Sequence, residues 1–467
     1  MQKLIRDPES LGRSPGEKGG LRHWLRHTLG VDKAIAFTVM GRGWASFAGL
    51  LTIVLIAHFL SPAEQGYYYT FGSLIALQIV FELGFSFVIL QLASHERAHL
   101  TIGLDESISG NPVAHDRLAS VLQKTVRWYT IAAALLAIAL VIAGSYFFSV
   151  HNRGAAAVHW RIPWYADALA ATLTFQLDPI LSFMEGCGFV ARVARVRMIQ
   201  AVTGSTLAWI ALVSHHGLFA PAMIIAGNAC VSLIWLFRRR RLLVPLLRHH
   251  SGPNKIHWLS EVWPFQWRIA ASWLCGYFIY QLYNPVLFAF RGAVAAGQMG
   301  MAISLSNALL SVAVSWINTK AAPFGTMIAR KQYDQLDHLF FQALKQSLGV
   351  CAAGALVLWL SVVYLNWAHL SFARRVLDPT SLGILLIAST LNITVNAEAV
   401  YLRAHKQEKF LIPSMVGALF IGSSTYFLGK YYGAFGMVSG NLAVTIFVGL
   451  PLGNYVFFKY RRLWHAR

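Results

Sequence analysis

Long apolar runs separated by short polar turns recur along the chain from about residue 34 almost to its end. A bilayer core about 30 Å thick takes roughly 20 consecutive apolar residues in a helix. Runs of that length predict spans near 34–60, 66–92, 127–150, 163–185, 194–214 and 217–237. A second set follows near 262–290, 294–319, 343–366, 380–402, 410–430 and 434–458. The pattern reads as an all-α membrane protein of about twelve transmembrane helices. The fourth and seventh spans break the pattern most, because they contain charges or prolines.

Composition agrees: 56% of the residues are hydrophobic and 12% charged, against about a quarter charged in a soluble domain. The formal charge of +20 would suggest nucleic acid in a soluble chain. Here it reads as the positive-inside bias and as contact with anionic phospholipids, not nucleic acid. With the N-terminus inside, the cytoplasmic segments hold about 30 Lys and Arg and the external loops about 6. The largest cluster, Arg238 to Arg241, lies between the sixth and seventh spans, and Lys459, Arg461 and Arg462 fall on the same side.

The expected organisation is a cytoplasmic tail (1–33), six spans (34–237), a basic linker (238–261), six spans (262–458) and a short cytoplasmic tail (459–467). The expected location is a bacterial inner membrane with both termini inside. Part of the first tail, near Leu21 to His27, would lie on the membrane surface. The tail shows no cleavable signal pattern. A weak repeat supports two six-helix lobes: Arg42 with Ala45 and Ser46 matches Arg268 with Ala271 and Ser272, and Gly66, Ser73 and Leu74 match Gly297, Ser304 and Leu305. Met184-Glu185-Gly186 is echoed by Leu402-Arg403-Ala404. Repeat-built transporters bind cargo between their halves and alternate the open side.

Polar stripes inside the apolar helices mark the candidate cavity, since a charge in the membrane costs several kcal/mol without a partner or water. Span one carries Thr38, Arg42, Ser46 and Gly49 on one face. Span four carries Asp167, Thr174, Asp178, Ser182 and Glu185, with Pro179 expected to free backbone carbonyls beside Asp178. Span two adds Gln78, Glu82 and Ser86. Span seven adds Arg268, Tyr277, Tyr280, Gln281 and Asn284, with Arg291 at the external mouth. Span eight carries Ser304, Asn307, Ser311, Ser315 and Asn318, and span ten Ser389, Asn392, Asn396 and Arg403, with Glu398 somewhat off that face. Such stripes serve equally as glue between helices, and Arg42 and Arg268 lie within snorkelling reach of headgroups. Spans five, eleven and twelve read as featureless and lipid-facing.

Enzyme signatures are missing. Gly41-Arg42-Gly43 lacks the third glycine of a nucleotide loop and sits within a span. There is no Gly-x-Ser-x-Gly elbow and no zinc-binding His-Glu-x-x-His. The four cysteines are scattered without metal or redox spacing, and His151, His159, His215 and His216 sit in loops without ligand spacing. A transporter without cofactor or metal is expected, drawing at most on a proton or sodium gradient.

The run Phe59-Leu60-Ser61-Pro62-Ala63-Glu64-Gln65-Gly66-Tyr67-Tyr68, continuing through Ser73-Leu74 to Glu82-Leu83-Gly84-Phe85, resembles the opening of polysaccharide transporters of the MOP (multidrug/oligosaccharidyl-lipid/polysaccharide) superfamily. Gly297 and Pro323 resemble the family's second half. The resemblance implies two six-helix bundles in a V around a central cationic cavity. Its nearest branch, the Wzx-type flippases of O-antigen and other surface polysaccharides, moves undecaprenyl-diphosphate-linked oligosaccharide from the cytoplasmic to the periplasmic leaflet. It implies Arg42 as a diphosphate ligand. Arg268, Arg291, Tyr280, Asn307 and Asn396 are the further substrate candidates, and Asp178, Glu82 and Asp167 the candidates for ion coupling. Other polysaccharide-assembly membrane proteins are candidate partners. The rival readings are a MATE-like ion-coupled exporter and, from another class, an integral-membrane glycan polymerase or ligase, which the short external loops disfavour.

Overall fold

The computed structural model describes residues 33–103, 106–151, 158–249, 255–405 and 409–465. The expected surface segment near Leu21 to His27 lies outside them. Among the described residues all is helix and turn except a small antiparallel ribbon, β1 (Leu100–Ile102) with β2 (Ile108–Gly110).

Local chemistry sets the boundaries. Helix α1 (Lys33–Phe59) gives way at Ser61, whose hydroxyl accepts from the Glu64 amide while Glu64 accepts from the Ser61 amide. That reciprocal cap, with Pro62 at the first helical position, starts α2 (Pro62–Glu82). Leu83 and Gly84 then take left-handed conformations, φ 50° and 70°, so the span bends by 45° into α3 (Phe85–Arg97). Asn111 caps α4 (Pro112–His151), which contains one π turn at Leu140–Gly144. The Leu140 carbonyl accepts from the Trp164 indole at 3.2 Å. Next come α5 (Arg161–Gly186), α6 (Val190–Val213) and α7 (Gly217–Arg238), then the short α8 (Arg240–Arg248).

The second half runs α9 (Trp263–Tyr280), α10 (Tyr283–Arg291), α11 (Ala293–Asn318), α12 (Ala321–Ala329), α13 (Tyr333–Trp367), α14 (Pro379–Ala404), α15 (Leu411–Val444) and α16 (Leu450–His465). Helices α9 and α10 form one broken crossing. Within α15, Gly433 has φ 65° and ψ −145°. Gly440 lies against Ser424 and Gly429 against Met437, so the chain doubles back there and crosses twice.

Among the described residues, eight helical stretches are long and apolar enough to cross a membrane, nine if α2 with α3 is one bent span. Counting the more polar α5, the broken α9–α10 pair and the fold-back at Gly433 brings the crossings to the expected twelve. The third and ninth crossings begin at Pro112 and Tyr333, earlier than hydropathy placed them, because their first turns are polar helix beyond the apolar run.

Helix α1 packs on α6, α6 on α7, α7 on α5, and α3 and α4 on α5, forming one lobe; α9 on α15 and α11, α13 and α14 on one another form the other. On α13 the exposed residues Leu356, Val357, Leu360, Tyr364 and Trp367 make an apolar outer face, suited to lipid. The lobes meet chiefly where α2 crosses α11. A Cβ built on Gly66 would lie 1.9 Å from the Ala293 carbonyl oxygen, so only glycine allows this approach. Buried Gln65 donates across it to the carbonyls of Gly297 and Arg375, at 2.8 and 2.9 Å. Toward the opposite end, which carries Arg238 to Arg241, the faces open: Asn307, Ser311, Ser315 and Asn318 on α11 and Arg42, Ser46 and Gly49 on α1 are exposed.

Candidate functional site

Between the lobes lies a cavity of about 840 Å³. Tyr68, Tyr69 and Ser73 reach it from α2, Asp167 from α5, and Tyr280, Gln281, Tyr283 and Asn284 from the break between α9 and α10. Ser304, Asn307 and Ser311 come from α11, and Ser389, Asn392 and Asn396 from α14. On α11 and α14 helical spacing explains the convergence, since those sets recur every three or four residues and so face one way. Some of these groups also bind each other. Asn284 donates to Ser73 at 3.1 Å, Ser306 to Ser389 at 3.0 Å, and Asn392 to Thr445 at 3.2 Å. The wall therefore mixes fixed hydrogen-bonded groups with free amides, hydroxyls and phenols.

Among the described residues of this wall, the one carboxyl group is that of Asp167. Asp167 is fully buried, and neither of its oxygens has a hydrogen-bond partner among the described residues. A buried polar atom left so is costly unless it is protonated or meets a ligand.

A second cavity, about 320 Å³, lies within the first lobe nearer the basic end. It joins Glu82 and Ser86 on α2 and α3 to Asp178 and Ser182 on α5 and to Arg197 and Gln200 on α6. Pro179 sits inside an α5 that stays one helix. Arg197 bonds Glu185 at 3.0 Å and keeps a half-exposed side chain. The structure thus brings two of the three acidic candidates together around an arginine and leaves Asp167 in the larger cavity.

The basic candidates stand elsewhere. Arg42 lines neither cavity. It is exposed on α1 next to Gly41, which packs on Met198, so it stands level with Arg197 at the open end. Arg291 donates to the carbonyls of Lys430 and Tyr431, the latter at 2.5 Å. It thereby closes the helix end before the fold-back at Gly433 and is spoken for structurally. Arg268 lies on α9, but its side chain is outside the described residues. Tyr280, Asn307 and Asn396 line the large cavity. No Lys or Arg is among the described residues of that wall, so its chemistry is polar and acidic rather than cationic.

Sequence reading missed Arg197 and Gln200 on span five, and Asn441 of the twelfth crossing, which lines the large cavity. Neither span is featureless. The available signal was the three-residue spacing of Arg197 and Gln200, which sets both on one face just inside the helix.

Among the described residues, twelve crossings in two lobes surround a polar cavity, the architecture of a multi-pass membrane protein. No family model and no curated protein matches this chain, but solved structures do. An inward-facing multidrug-resistance MATE transporter of the MOP superfamily aligns with a TM-score of 0.63 at 14% identity, covering 91% of this chain and 99% of that one. The lipid II flippase MurJ, in an inward closed conformation, aligns at 0.55 and 15%, covering 91% and 87%. A MOP-superfamily transporter from Pyrococcus furiosus, described as having a binding pocket of reversed polarity, aligns at 0.53 and 16%, covering 91% and 96%. The chain therefore shares the fold of these solved structures, which include an exporter and a lipid flippase.

Proposed function

We propose that this protein is a flippase for undecaprenyl-diphosphate-linked oligosaccharide, working from a cytoplasmic membrane whose inner face is the basic end. The observation that carries the reading is the large cavity: hydroxyl, carboxamide and phenol groups suit the hydrogen-bonding and stacking needs of sugar rings. The diphosphate would stay at the mouth, where Arg42 and Arg197 stand level on adjacent helices, and guanidinium groups suit phosphate oxygens. Arg268 remains an assisting candidate, whereas Arg291 has its structural task. The lipid tail would remain in the bilayer beside the lobes. Opening of the Gly66–Gly297 contact and closure of the basic end would expose the cargo outside, with protonation or sodium exchange at Asp167, or at the Asp178–Glu82 pair, resetting the cycle.

One observation favours a second reading. Unpartnered Asp167, on the cavity wall, suits an ion-coupled exporter of small cations. The test is flipping of a fluorescent undecaprenyl-diphosphate oligosaccharide in proteoliposomes, read by leaflet-specific quenching. Flipping that falls at least about tenfold in Arg42→Ala or Arg197→Ala, as loss of a charge-assisted hydrogen bond worth about 1.5–3 kcal/mol requires, supports the flippase. Absent flipping, with pH- or sodium-driven efflux of a cationic dye that Asp167→Asn abolishes, assigns the exporter.

A further inference from the structure

Outside both cavities, the segment joining the lobes is fastened to α4 at the basic end. Arg239 pairs with Glu106, and α8 buries Leu242, Leu243 and Leu246. Gln123 of α4 donates to the carbonyls of Leu246, Leu247 and His249, at 3.0, 3.3 and 2.7 Å. These are groups that the end of a helix leaves open. Further on, the Ile256 amide donates to Ser120 at 3.2 Å, and Arg117 reaches Glu261 at 2.6 Å. Within this seam three potential ligands converge from two elements. His115 and Asp116 stand near the start of α4, and His249 stands just past α8.

We infer that His115, Asp116 and His249 form a binding site for a first-row transition-metal dication, best matched by Zn²⁺, that clips the interlobe segment to the first lobe. Their ligand atoms all lie within 4.8 Å of one another, His249 Nε2 is 2.6 Å from Asp116 Oδ1, and the two imidazole rings stand edge to face with centroids 4.5 Å apart. Zinc takes nitrogen and carboxylate oxygen at about 2.0–2.2 Å in a tetrahedron, so a shift of about an ångström would seat it. Two imidazoles and one carboxylate select zinc, copper or nickel over magnesium and calcium. Three protein ligands leave a fourth position for water. The backbone that bears the ligands is held on both sides, because Gln123 binds the His249 carbonyl and Asn111 caps the start of α4. The site lies on the one covalent connection between the lobes, so metal would stiffen it.

The test uses the full chain in detergent, purified without a polyhistidine tag and titrated with Co²⁺. Co²⁺ reports a four-coordinate site by its visible absorption, and Zn²⁺ then displaces it. One equivalent should bind and raise the melting temperature. His115→Gln and Asp116→Asn should each weaken binding about 100-fold, and Gln123→Ala about tenfold. Either ligand variant suffices if the other elutes aggregated. The site is refuted by absence of the visible band in the wild-type chain, or by unchanged affinity in a monodisperse ligand variant. These readouts do not involve transport, so they fail or succeed independently of the flippase reading.

Discussion

At the scale of single residues, the two cavities make opposite demands on their charges. Asp167 is buried without a partner, so an ionised carboxylate there would carry an uncompensated desolvation cost. Asp167→Asn keeps the shape and removes that cost. The variant should be as stable as the wild type or more so, by about 1 kcal/mol, and, where Asp167 rather than the Asp178–Glu82 pair couples the ion, should lose the proton or sodium dependence of transport. A lower melting temperature with ion dependence intact would show that the carboxylate is satisfied and not the coupling group. Arg197 is the reverse case, a cation among Glu82, Asp178 and Glu185. Asp167 and Asp178 were legible in the sequence because an acid inside an apolar run has few explanations. Arg197 was not, because Arg192 and Arg195 precede it and the cluster reads as an ordinary basic loop. Arg291 misled for a related reason: a cation near a span end cannot reveal from sequence that it caps another helix's carbonyls.

Elements show the same division between pattern and context. Apolar runs located the crossings, yet polar first turns hid the true starts of α4 and α13. The Glu82-Leu83-Gly84-Phe85 run marks a bend in the middle of a span, where Gln266 donates to the Leu83 carbonyl from the other lobe. The extra turns of α4 carry the docking of the interlobe segment, centred on Arg117, which binds buried Glu96 at 2.8 Å and Glu261 at 2.6 Å. Arg117→Met keeps the bulk and strands Glu96 without its cation, so stability should fall by about 3 kcal/mol. A denaturant midpoint unchanged from the wild type would show that Glu96 finds another donor. The hydrogen bond from Arg117 also holds the Glu261 carboxyl below its ordinary range. A depressed acid stabilises the fold above its unfolded pKa, about 4.3, and loses that contribution as pH falls through the lower folded value. The Arg117–Glu261 share of docking should therefore be flat from about pH 5 to 8 and weaken only below about pH 4. Exchange protection of the Ile256 amide, compared between wild type and Glu261→Gln across that range, checks this. A difference between the two proteins that changes within the pH 5 to 8 range would assign the dependence to another group.

For the molecule as a whole, the repeat visible in the sequence acquires a physical meaning at the interface. Gly66 and Gly297 were matched as equivalent positions of the two halves, and in the structure they touch. Equivalent residues meet only near an axis relating their lobes, so α2 and α11 cross close to that axis, at the end of the cavity that is shut. Which end is closed could not be read from the chain, because it depends on the fit of two backbones 231 positions apart. Gly66→Ala tests the role of this contact with little local cost, since alanine favours a helix over glycine by about 0.5–1 kcal/mol. In the shut arrangement its Cβ would lie 1.9 Å from the Ala293 carbonyl oxygen and 2.5 Å from its carbon, so the lobes must part. Reversing a two-state population from 1:99 to 99:1 takes about 5.5 kcal/mol, and an overlap of this depth against main-chain atoms supplies a penalty of that order. A cysteine at Asn307, in a chain lacking its four native cysteines, should react with an impermeant maleimide from the basic side in the parent protein. With Gly66→Ala added, the same thiol should react from the opposite side. Labelling that stays on the basic side would mean the end closes elsewhere, and the Gly66–Gly297 crossing would then be packing rather than a gate.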